Sequence, residues 1–242
     1  MTYTTGIMSI RLHVYSPLQH SALWLGAWLY GRQSTDALID ALLDLQQPTS
    51  VEVLHRLRAT AKLHGEEPAV RLVLAGPAQP SGLPAPADEH GALLIPAGDD
   101  HYHMLIALPG EEEWHWQMVE NPPAALYLSP GEADLRLAEA TRQAASLIEA
   151  QGLRTSSLSN PRLTVGMLSD FYETPGIPED TPPRAAKLIA RADRVAAIIE
   201  ALLDQAGDHS LDPELLGLWR YIREARMTAV DYAVREMGRL AG

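Results

Sequence analysis

Residues 101 to 120 read HYHMLIALPGEEEWHWQMVE: two apolar, aromatic-rich runs separated by a Pro-Gly turn and three glutamates. Such a pair reads as a β-hairpin. With an even-length loop at Pro109 to Glu112, His103 lies opposite Met118, Ile106 opposite His115 and Ala107 opposite Trp114; an odd loop would reverse this. Side chains alternate across a strand, so one face then carries Tyr102, Met104, Ile106, Leu108 and Val119. The other carries Leu105, Trp114, Trp116 and Met118, flanked by His101 and His103. Both faces need cover, which calls for helices from the two flanks packed on a small sheet.

Working outward, Val70 to Ala75 and Ala92 to Pro96 also read as strands, with Ala125 to Leu128 as a further short candidate. Together they form an antiparallel meander over about residues 69–128. Between the first two, Gly76 to Gly91 carries four prolines and three glycines, the composition of an irregular surface loop.

Upstream, Arg11 to Ser16 alternates weakly as a short strand, and Leu18 to Tyr30 is apolar at helical spacing, with Trp24 and Trp28 one turn apart. Ser34 or Thr35 caps a second helix to about Gln46, with Leu38, Leu42 and Leu45 along one seam and Asp36, Asp40 and Asp44 along another. Thr49-Ser50-Val51-Glu52 fits a capping box opening a third helix that ends near His64-Gly65.

Downstream, Ser129-Pro130-Gly131-Glu132 joins a capping box to a proline at the first helical position, for a helix to about Gln151. Thr181-Pro182-Pro183 opens another, ending near Gly207, and Asp212-Pro213-Glu214 the last, ending near Gly238. Arg154 to Asp180 reads poorly, with at most a short helix at Val165 to Phe171. The fold class is α+β: N-terminal helices, a small antiparallel sheet and long C-terminal helices packed on it. The domain reading is a single unit over 1–242, with a subdivision into an α+β part (1–128) and a helical part (129–242) as the alternative.

The 242 residues contain no cysteine, which excludes disulfides, thiolate nucleophiles, iron–sulfur clusters and cysteine-ligated zinc. The net charge is −12. Residues 1 to 121 hold 6 basic against 14 acidic residues, net −8, and residues 122 to 242 hold 13 against 17, net −4. So acidic a chain repels phosphate backbones, and no nucleic-acid partner is expected. The apolar run Ala22 to Tyr30 falls well short of the roughly 20 residues that cross a bilayer, so no membrane partner is expected, and Met1 to Ile10 carry no positively charged n-region and no apolar h-region, so the reading is cytoplasmic. No G-x-S-x-G, H-E-x-x-H, Walker A or G-x-G-x-x-G pattern occurs. Lys62 and Lys187, the two lysines, leave few candidates for a Schiff-base or phosphate-loop residue.

His101-Tyr102-His103 aims two imidazoles at one face, as metal sites require, but the pairing sends His115 to the other face. No metal and no cofactor are therefore expected. Two function classes remain. The leading one is a non-catalytic protein that works through protein–protein contacts, a homodimer that also has room for an unidentified protein partner. Its interface is read on the last helix at Trp219 and Ile222, flanked by Arg220 and Arg223, the mixture of aromatic, aliphatic and arginine that interfaces favour. The other is a small-molecule sensor or enzyme with a site at His101, His103, Trp114 and Trp116, under the Gly76 to Gly91 loop. Arg184, Lys187, Arg191 and Arg194 place four cations on one helical stripe, facing solvent, an anion, an acidic partner or the Asp36/Asp40/Asp44 stripe across an interface.

Overall fold

Serine hydroxyls at Ser34, Ser50 and Ser129 accept from first-turn amides and set the starts of three of the helices. The computed structural model describes residues 16–63, 67–76, 79–125, 128–150, 176–206 and 212–240. The expected strand at Arg11 to Ser16 lies outside them but for Ser16, and the expected helix at Val165 to Phe171 lies wholly outside them.

Helix α1 spans Pro17–Leu29 and α2 Thr35–Asp44, the latter capped by Ser34, whose hydroxyl accepts from the Ala37 amide at 3.1 Å. In α3, Val51–Thr60, the cap is Ser50, accepting from the Val53 amide at 3.4 Å. That corrects the expected box: with Ser50 as cap, Glu52 stands one position too early to reach back. The helix also stops short of His64-Gly65. Ala61 is extended, and the Lys62 amide donates to the Pro96 carbonyl at 2.8 Å, drawing the chain alongside the sheet.

The sheet is the meander β1-β2-β3-β4, all antiparallel: β1 Arg71–Val73, β2 Ala92–Gly98, β3 His101–Ile106 and β4 His115–Glu120. Residues 125 and 128 add no strand to it. Asp99 and Asp100 both have positive φ, 48° and 59°, the signature of a hairpin turn whose twist matches its strands. In the second hairpin His103 pairs with Met118, Leu105 with Trp116 and Ile106 with His115, the register an even loop implies.

The two faces meet different covers. Leu72, Leu93, Ile95, Leu105 and Trp114 join the main core with α1, α2, α3 and the C-terminal helices. Ala92, Leu94, Met104, Ile106 and Val119 form a second, smaller cluster closed by Leu83 and by Ala87 of the four-residue helix α4, Ala87–His90. Leu83 and Ala87, in the later part of the Gly76 to Gly91 loop, therefore lie on the face opposite Trp114 and Trp116, while Gln79 near its start meets Arg223 of the last helix. The loop's last residues run straight into β2 and land on the side toward which Ala92 and Leu94 point.

The C-terminal helices are α5, Pro130–Ala150, α6, Pro183–Ala206, and α7, Asp212–Arg239. The α5 box is reciprocal: the Ser129 amide donates to Glu132 Oε2 at 2.8 Å and the Glu132 amide to Ser129 Oγ at 3.2 Å. Helix α7 is the central support, packed against α5, α6, α1 and β1. It buries Ala225, Ala229, Val230, Ala233 and Val234, small residues that let neighbours come close. A methyl group added to Gly26 of α1 would sit 2.8 Å from Val234 Cγ2.

Candidate functional site

The four residues read as a ligand site are divided by the sheet into three environments. His103 is buried, 4% exposed, and stands edge-to-face with Trp116 at 4.9 Å between ring centroids. The Trp116 indole N–H donates to His103 Nδ1 at 3.2 Å, while the Arg56 guanidinium lies 4.2 Å from the centroid of the Trp116 ring. Because Nδ1 accepts, the neutral ring carries its proton on Nε2, and that atom is buried with no hydrogen-bond partner. Burial first, and the nearby Arg56 charge second, hold the imidazole below its ordinary pKa.

Trp114 is core: its indole N–H donates to the Pro48 carbonyl at 3.0 Å, pinning the α2–α3 connection to the sheet. His101 is outside, with Nδ1 2.6 Å from the Asp99 carbonyl and Nε2 3.1 Å from Glu120 Oε1. The Asp99 carbonyl, and then the Glu120 carboxylate, push its pKa up. Geometry thus brings His103 and Trp116 together, and leaves His101 and Trp114 to separate roles. His115 is exposed and pairs with Ile106, on the other face. Among the described residues no three His, Asp or Glu side chains gather as metal ligands would.

The residues read as an interface are likewise divided. Ile222 is fully enclosed, and Arg223 turns inward, its Nε donating to Gln79 Oε1 at 2.9 Å while burial lowers its pKa. Trp219 is half-buried against the main core, and Arg220 is exposed with its Nε 3.4 Å from Glu224 Oε1. Trp219 and Arg220 are the two that reach the surface.

The cationic stripe lines a groove on the C-terminal helices. Between the start of α5 and the face of α6 runs this groove, of about 650 Å³, bordered by Gly131, Asp134, Arg184, Lys187, Arg191 and Arg194. Arg191 is paired with Asp134 at 2.8 Å. Arg184, Lys187 and Arg194 are exposed and, among the described residues, have no ion-pair partner. A smaller cleft of about 200 Å³ follows the free edge of β1, between Pro80, Pro123 and Met227. The Leu74 amide in its wall donates to Met227 Sδ at 3.3 Å.

Three features carried no local signal. Arg56 reaches Trp116 from α3, and Asp134 reaches Arg191 across 57 residues of sequence. Asp193 of α6 is paired with Arg226 of α7 at 2.9 Å in the interior, with His20 of α1 close enough to act on its charge. Desolvation outweighs the influence of Arg226 and His20 there and holds the Asp193 carboxyl above its usual range. No helix among the described residues is long and apolar enough to cross a membrane.

The molecule so described is an α+β protein whose sheet and N-terminal helices rest on a C-terminal helical support. Residues 19–127 match the N-terminal domain of the Rv1486c-like protein family and residues 131–227 match its C-terminal domain. Two uncharacterized proteins of Mycobacterium tuberculosis, MT1533 (strain CDC 1551 / Oshkosh) and Rv1486c (strain ATCC 25618 / H37Rv), are each 24% identical to the chain. The similarity extends over 278 aligned residues, covering 90% of this chain and 96% of each relative. No solved structure matches the chain.

Proposed function

We propose that the protein works by contact with other proteins, copies of itself included, and not by catalysis. The observation that carries this reading is the groove, where Arg184, Lys187 and Arg194 stand exposed and, among the described residues, without an ion-pair partner on a chain of net charge −12. Cations held in a row along a rigid helix suit a partner with a matching row of carboxylates. Small-molecule sites instead bring a few polar groups together in an enclosed, mostly apolar pocket. Two interior groups that could do proton chemistry, His103 at its Nδ1 and Asp193, are engaged by Trp116 and Arg226. Light scattering on the purified chain at about 100 μM, above typical micromolar dissociation constants, tests the reading: a dimer is expected, and a strict monomer that retains no acidic protein either would refute it.

A second reading, a small polar ligand beside Trp116, has the buried and unpartnered His103 Nε2 in its favour. Compounds that raise the melting temperature of the native chain and lose that effect in His103→Phe would support it.

A further inference from the structure

We propose that a second copy of the chain docks its helix α2 along the basic groove of α6. Asp36, Asp40 and Asp44 of one copy then face Arg184, Lys187, Arg191 and Arg194 of the other, reciprocally about a two-fold axis. This rests on the self-association proposed above and assigns the surfaces that make it.

Both stripes are exposed and, among the described residues, unmatched but for the Arg191–Asp134 pair. Asp36, Asp40 and Asp44 are exposed and, among the described residues, have no ion-pair partner, as is true of Arg184, Lys187 and Arg194. At the helical rise the acids extend over about 12 Å and the cations over about 15 Å, each within an arc of about 80°. The rows therefore have similar length and a similar step, close to one turn.

A single inorganic anion is too small to use four cations spread along nearly three turns. A nucleic-acid strand would meet, beyond the groove, a surface of strong negative charge. A helix with one carboxylate per turn fits the row. Each stripe also borders or holds an apolar residue out of place on a solvated face: Leu43, 57% exposed, stands about 20° beyond Asp36 on the wheel, on the side away from Asp40, and Ile198, 39% exposed, continues the cationic row by one turn. Apolar side chains set among complementary charges are the mixture that buried interfaces use.

The arrangement within one chain favours reciprocity. Arg32, just before α2, is joined to Asp180, just before α6, with Nη2 3.0 Å from Oδ1. The two helices thus start from one tethered corner, yet none of the α2 acids pairs with an α6 cation of the same chain. A two-fold axis beside that corner lets each copy offer its acids to the other's cations in a closed dimer.

Sedimentation velocity on the full chain at about 50 mM and about 500 mM salt decides the matter, since screening over a few ångströms weakens such a contact. A dimer whose dissociation constant rises at least ~10-fold at high salt is expected. Asp40→Lys and Lys187→Glu should each be monomeric at low salt. Mixed in equal amounts they should form a heterodimer, because both reciprocal contacts then join opposite charges. Asp44→Lys mixed with Arg194→Glu repeats the test should either first variant fail to fold, as judged by circular dichroism. A monomeric native chain would overturn both this pairing and the self-association it rests on. A dimer indifferent to salt and to both variants, or variants that stay monomeric on mixing, would overturn the pairing while leaving self-association standing.

Discussion

Trp116 holds His103 in one protonation state: an indole N–H 3.2 Å from Nδ1 leaves no room for a proton on that nitrogen. Protonating the ring would set two N–H groups against each other, inside the protein and beside the Arg56 guanidinium. Acid is therefore expected to act on this site by unfolding it.

The folded pKa of His103 is depressed, so the unfolded chain takes up the proton first. Stability should be complete above about pH 6.5, the unfolded value, and should fall as pH drops from there toward the folded value. Urea midpoints measured between about pH 7 and pH 5 should decline in the native chain and decline less in His103→Phe, which removes the titrating ring. Exposed His101, whose pKa is raised, works the other way, its contribution fading as pH rises through its own folded value.

The Asp193–Arg226 pair is enclosed between α6 and α7. Removing one charge leaves the other buried and alone, so Arg226→Leu or Asp193→Leu should each cost about 3–5 kcal/mol. The double replacement should recover much of that loss. Chemical denaturation of the four proteins as a mutant cycle checks it, and additive losses would refute the coupling.

Gly26 is packed where a β-carbon would lie 2.8 Å and 3.0 Å from the two methyl groups of Val234. Gly26→Ala should improve α1 as a helix by up to about 1 kcal/mol, yet the clash of two stiff helices should outweigh that and destabilise the protein by about 1–2 kcal/mol net. Adding Val234→Ala should return most of the difference. An increase in melting temperature for Gly26→Ala alone would show that α1 and α7 can separate at little cost.

The α5 capping box predicts a smaller effect. Ser129→Ala deprives the Glu132 amide of its acceptor and should lower stability by about 1 kcal/mol, as read from urea unfolding. Threonine in the same place should be nearly neutral.

The hairpin was legible in the sequence because period-two alternation and loop parity together determine which residues face each other: His103 and Trp116 share a face for that reason alone. The helix starts at Thr35, Pro130 and Pro183 were equally readable, since capping is local chemistry. What alternation cannot say is which layer lies on which face. The proline-rich loop chose the Met104 side because α4 leads directly into β2, a matter of three-dimensional course. Nor does spacing along one helix reveal partners from another: Ile222 and Arg223 look like an outer seam until β1 and Gln79 meet α7. Arg56 and Asp134 escaped notice for the same reason.

The contact of Gly26 with Val234 joins an early helix to a late one, with most of the chain between them. Translation proceeds from the first to the second at about 5–20 residues per second, so α1 waits on the order of 10 s for the surface it rests on. During that interval the flank around Gly26 is bare apolar surface, open to chaperones and to neighbouring nascent chains. The order of synthesis, as much as the final packing, thus sets when this protein is most vulnerable to aggregation.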